Sequence, residues 1–195
     1  MNRENQMLDK ESDIQYRQVD MHRDFFDRAE TAMNNRFYFE AIFLEYAAIE
    51  GRLEVILGVL GFPCNKDLEK EKRIKVAISD RVECLRVFRQ NNPLLFKRTK
   101  LSKNFFTQKG QLRTWICRRN TFVHGIMKNA DDYPNRKNES CSIAKHGLEY
   151  SRLLYNETKR LRRLLSSHPE LFLHTIKSCE NCQCVASINN ADSQI

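Results

Sequence analysis

Arg119, Asn120 and His124 stand close together in the run Arg119-Asn120-Thr121-Phe122-Val123-His124. Between them they carry the groups that phosphate chemistry uses. The imidazole titrates near neutral pH and can take or deliver a proton. The guanidinium can pair bidentately with nonbridging phosphate oxygens, which a Lys does less selectively. The amide can hydrogen-bond the phosphate or hold the imidazole in one tautomer.

Spacing decides which of these groups can act together. Residues three and four apart share a helix face, and the stripe through positions 112, 115, 116, 119, 122, 123 and 126 is apolar everywhere except at Arg119. A guanidinium on such a stripe is unfavourable unless it meets a carboxylate, lines a cleft or faces a partner chain. Asn120 and His124 are four apart and stack on one edge, with His124 about 140° around an ideal helix from Arg119. The three therefore flank one cleft wall. Gly125 follows at once and reads as a helix C-terminus, where free carbonyls and the helix dipole favour an imidazolium.

The elements that must position these residues are all helical. Val19, Phe25, Phe26, Ala29 and Met33 recur at spacings of three and four over 16–33, and Asn34-Asn35 breaks the run. Residues 36–60 carry a broad apolar face from Phe39 to Leu60, stopped by Gly61-Phe62-Pro63. Ile74, Ala77, Ile78, Val82, Leu85 and Phe88 predict a helix over 73–90, ended by Asn91-Asn92-Pro93. A basic connector over 93–103 leads to the motif helix at about 104–125. The last helix spans about 142–166, with Leu148, Leu153, Leu154, Leu161, Leu164 and Leu165 inside and Arg152, Lys159, Arg160, Arg162 and Arg163 outside. The expected fold is all-α, a bundle of four to five long helices over 16–167, with a polar leader at 1–15 and a tail at 168–195.

Composition bounds the rest. A chain of 195 residues has room for one domain with a core, and 41% hydrophobic with 30% charged residues is ordinary for a folded soluble protein. No stretch reaches the roughly 18 apolar residues of a membrane helix and no signal-peptide core opens the chain, so the expectation is a cytoplasmic protein with no membrane partner. Seven scattered cysteines do not form a disulfide framework. The net charge of +8 favours polyanions, RNA or DNA first, although a solvated basic surface has the same signature.

The run from Leu112 to Gly125 resembles the signature of the HEPN family: an Arg, a polar residue, and a His after a few intervening residues, here four. The order of elements is similar as well, with a long helix before the motif and an amphipathic one after it, so that the resemblance covers roughly residues 20–166. It implies a homodimer in which two motifs face each other to form a metal-independent RNA-cleaving centre, with a toxin or defence role and an antitoxin partner in some members. RNA carries a 2′-hydroxyl beside each scissile phosphate, so cleavage needs no metal where a base takes that proton and a cation stabilises the pentavalent phosphate. One branch of the family has a Tyr two residues past the His. Ile126 stands there in this chain, so regulation by modifying that Tyr is not expected.

Glu50, on the stripe through Tyr46, Leu53 and Leu57, reads as pointing inward to orient Arg119. It could equally be a buried carboxylate that ties two helices together, and Glu45 is the reserve candidate. In the tail, Cys179, Cys182 and Cys184, with His174 upstream, could ligate zinc but lack a second paired knuckle. They read as free thiols, and no metal or cofactor is expected. Lys97-Arg98-Thr99-Lys100, with Lys103 and Phe105-Phe106 nearby, could track an RNA backbone, although a solvated connector is the plainer reading. Trp115 belongs to the core, and His22, His146 and His168 receive no role.

Two functions follow. One is an RNA endonuclease, which needs Arg119 and His124 exposed in a shared cleft. The other is a noncatalytic helical RNA-binding or protein-interaction module in which Arg119 anchors a dimer seam. Burial of both side chains would favour the module.

Overall fold

The computed structural model describes residues 21, 23–60, 77–101, 103–106 and 110–168. Among them the fold is all-α, with no strand. A first helix, α1, covers 23–34. It ends where the Arg36 N–H donates to Met33 O (3.1 Å) and the Phe37 N–H to Ala32 O (2.8 Å), a closure that places Arg36 in the left-handed region at φ 62°.

Helix α2, Tyr38–Val59, is apolar almost all round and is the central element. It packs most extensively against α7, Lys137–Ser167. Between them in the chain come α3, Ile78–Asn91, the short α4, Pro93–Lys97, and α5, Lys103–Phe106, and then α6, Gln111–Lys128. The Asp80 carboxylate accepts the Ala77 N–H at 3.2 Å and so caps the start of α3. Pro93 opens α4, where its missing N–H carries no penalty. Two 3-10 turns, Ala130–Asp132 and Pro134–Arg136, join α6 to α7. The core gathers Phe88, Phe96, Phe105, Phe106, Phe122, Ile42, Ile49, Leu53 and Leu85.

Several expectations change on contact with this architecture. Over 93–101 the connector keeps Lys97, Arg98 and Lys100 exposed, as a solvated connector does, yet its apolar side chains and backbone are tied to the core. Leu95, Phe96 and Leu101 are buried, the Arg89 Nε–H donates to Leu101 O at 3.1 Å, and the buried Glu157 carboxylate accepts the Lys100 N–H at 2.8 Å. Phe105 and Phe106 are core side chains, so they form no stacking platform for bases. The motif helix starts at Gln111 and runs through Gly125 to Lys128, the Gly125 carbonyl accepting the Asn129 N–H at 3.1 Å. His124 therefore does not sit at a helix end. Gly125 serves packing instead: a Cβ there would lie 2.6 Å from Arg136 Nη1, and the Arg136 guanidinium stacks over Phe122 at 4.8 Å while it bonds Glu139 at 2.8 Å.

Cys117 and Cys141 are free thiols. Among the described residues no helix is long and apolar enough to cross a membrane. The leader, the Gly61-Phe62-Pro63 stop, His22 and the tail with His174, Cys179, Cys182 and Cys184 lie outside the described residues.

Candidate functional site

Helix α6 presents its motif as the stripe requires. Leu112, Trp115, Ile116, Phe122, Val123 and Ile126 are buried, and the Trp115 Nε1–H donates to Ile143 O at 2.8 Å, which fixes the indole in the core. Arg119 lies on the flank of that face and is half-buried. Its Nη1 donates to the Asn120 Oδ1 at 2.9 Å. The guanidinium carbon is 4.2 Å from the Tyr46 ring centroid and 5.0 Å from that of Phe43, both on α2. Its Nε is buried without a hydrogen-bond partner. Burial pulls the Arg119 pKa below its ordinary value, and Tyr46 and Glu50 act against that pull.

Glu50 does not hydrogen-bond Arg119. Its Oε1 accepts from Arg81 Nη1 at 2.9 Å, and Arg81, from the buried side of α3, also approaches Glu54 at 3.8 Å. Glu50 is partly exposed rather than inward-pointing, and its effect on Arg119 is that of a nearby charge. Glu45, the reserve candidate, has 0% exposure and touches neither motif residue by hydrogen bond. Both of its carboxyl oxygens are buried and unpartnered, and burial pushes its pKa up to about 10. It is a neutral carboxylic acid in the core.

Asn120 is partly exposed and His124 exposed. Five residues along an α-helix separate Arg119 from His124 by about 7.5 Å of rise and about 140° of rotation. Arg119 leans toward α2 and His124 projects away from it, so one chain supplies two side chains aimed at different sides of α6. Sequence reasoning missed Phe43, Tyr46 and Arg81. Arg81 carried a legible signal, because it interrupts the apolar stripe Ile78, Val82, Leu85 and Phe88 as Arg119 interrupts its own.

No protein-family model, curated protein or solved structure matches the chain. Among the described residues no group of three or more His, Cys, Asp or Glu side chains is placed to hold a metal ion.

Proposed function

We propose that this chain is a metal-independent RNA endonuclease of HEPN type that acts as a homodimer, with Arg119, Asn120 and His124 as its working residues. One observation carries the reading. Arg119 is set into an apolar stripe, its Nη1 is oriented by Asn120, its Nε is buried without a partner, and among the described residues no carboxylate pairs with it, an arrangement that leaves its charge for an anion where packing alone would favour an apolar side chain.

In this reading His124 takes the 2′-hydroxyl proton, the 2′-oxygen attacks phosphorus, and the 5′-oxygen leaves as its bond breaks and a proton returns to it. Arg119 balances the charge gathered on the nonbridging oxygens, and Asn120 keeps the guanidinium in place. Because α6 directs Arg119 and His124 to different sides, a phosphate meets both between two facing copies of the helix. Glu50 is a positioning residue, acting through Arg81 and the local field. As a toxin or defence effector restrained by an antitoxin partner, the protein should arrest growth on expression, and His124→Ala should relieve the arrest.

The deciding assay is RNA cleavage by the purified protein in EDTA, set beside Arg119→Ala and His124→Ala. His124 is exposed, so its substitution should leave folding untouched while abolishing cleavage. Equal cleavage by all three proteins, or none by the wild type on any RNA, sinks the proposal. The cradle of Tyr46 and Phe43 around Arg119 favours a second reading, a noncatalytic helical RNA-binding or protein-interaction module with Arg119 as a structural anchor. Absence of cleavage in the same assay is its expected result.

A further inference from the structure

On α2, six residues beyond Tyr46 and therefore about 9 Å along the axis and about 120° around it, Arg52 begins a second cluster of cations. Arg52 is only 5% exposed. Its guanidinium carbon lies 4.6 Å from the centroid of the Tyr155 ring on α7, and its Nη2 is buried without a hydrogen-bond partner. Lys159 Nζ is 4.2 Å from the same ring centroid. Arg162, one turn further along α7, is near enough to repel Arg52, adding to the burial that lowers the Arg52 pKa. Lys159, by hydrogen bonding and by charge, and Arg52 and Arg23, by charge, hold the Tyr155 phenol below its ordinary value against the opposing effect of burial.

The neighbouring charges are already engaged. Arg23 faces Asp27 at 3.8 Å, Arg152 pairs with Glu30, and Arg160 lies 3.9 Å from Glu157. Among the described residues no carboxylate lies within 4.0 Å of Arg52, Lys159 or Arg162. Two cations set against one ring, with Arg162 repelling the buried one and no carboxylate paired with any of the three among the described residues, make an unfavourable arrangement in isolation. A surface phosphate resolves it: its oxygens can take the exposed Lys159 ammonium and Arg162 guanidinium, and its charge offsets that of buried Arg52. Exposed Arg163 beside them extends the positive field along α7, as sequence-independent backbone contacts require.

We propose that Lys159 and Arg162, backed by buried Arg52 and the Tyr155 ring, form a phosphate-binding site that holds the backbone of an RNA strand outside the Arg119–His124 motif. The choice of RNA rests on the nuclease reading above, whereas the phosphate chemistry does not.

The test is fluorescence anisotropy of a labelled single-stranded RNA against the full chain carrying His124→Ala, so that binding is read without cleavage. Adding Lys159→Ala and Arg162→Ala should weaken binding roughly tenfold and reduce the slope of log K against log salt by about 1.4, two phosphate contacts at about 0.7 each. Removing the same charge at the far end of α7, with Lys137→Ala and Lys145→Ala, should cost no more than about twofold, and Lys159→Arg with Arg162→Lys should retain affinity. Equal losses at both ends, no loss at either, or a failure of the charge-conserving pair overturns the site. Loss of binding as expected, with no EDTA-resistant cleavage by the wild type, refutes the nuclease and keeps the site. Cleavage with binding indifferent to Lys159 and Arg162 does the reverse.

Discussion

Replacing Glu45 by Gln should stabilise this protein at neutral pH and flatten its pH dependence. Glu45 is fully enclosed, faces Gly147 of α7 and Trp115 of α6, and has no hydrogen-bond partner for either oxygen. Burial raises its pKa from 4.5 to about 10. Between those two values the folded chain holds a proton that the unfolded chain has released, so stability is full below pH 4.5 and falls as pH rises. The slope is about 1.4 kcal/mol per pH unit. At pH 7, 2.5 units above the unfolded value of 4.5, the loss is about 3.4 kcal/mol, a figure that holds wherever the folded pKa lies above 7. Gln keeps the shape and has no proton to lose. Its buried amide carries a penalty of about 1–3 kcal/mol of its own, but that penalty does not change with pH. Urea unfolding followed by far-UV circular dichroism from pH 5 to 8 should therefore show the two proteins diverging by about 1.4 kcal/mol per unit, with the variant gaining as pH rises. Parallel curves would refute the reasoning, because they would mean that Glu45 ionises freely in the folded state.

The packing around that carboxyl makes a second expectation. A Cβ on Gly147 would meet Glu45 Oε2 directly and lie 2.7 Å from Trp115 Cζ2, so Gly147→Ala should lower stability by about 1–3 kcal/mol despite Ala's better helix propensity. Gly58→Ala, near the end of α2 with nothing within 4 Å, should instead raise it by up to about 1 kcal/mol; thermal melts of both variants compare them directly. Arg36→Gly relieves a left-handed backbone at φ 62° and should gain about 0.5–1 kcal/mol in the same measurement; a loss would place the value of Arg36 in its side chain.

The stripe on α6 could be read from sequence because that helix has a polar side to contrast with its apolar one, and a single Arg in the stripe stands out. Helix α2 offers no such contrast. Its sequence supports one stripe through Tyr46, Glu50, Leu53 and Leu57 and another through Ile42, Glu45, Ile49, Arg52 and Ile56, and only the packing, chiefly against α7, buries all of the second and Leu53 alone of the first. Glu50 therefore reads as inward although it is partly exposed and pairs with Arg81 of α3, and Glu45 reads as a reserve candidate although it is the residue inside. Gly125 misled for a related reason. A Gly after a His looks like a helix stop, but the absence of a Cβ was needed by Arg136, eleven residues on and across two turns, which no local pattern conveys.

Three polar side chains with buried atoms that lack a hydrogen bond, Glu45, Arg52 and half-buried Arg119, all meet at α2, two as its own residues and the third cradled by its Tyr46 and Phe43. A helix selected for stability alone would carry apolar side chains at such positions, since replacing a buried charge by packed hydrocarbon is often neutral or stabilising. The two arginines differ from Glu45 in one respect. Each keeps its charge without a carboxylate partner among the described residues while an aromatic ring supports the guanidinium, a state that an incoming anion offsets and an apolar core contact does not. Glu45 has no such use as a neutral acid packed on Gly147 and Trp115. The same burial therefore separates two roles beside one helix, with Glu45 setting a pH limit on the fold and, in the proposals above, Arg52 of α2 and Arg119 of α6 keeping their charge for a phosphate.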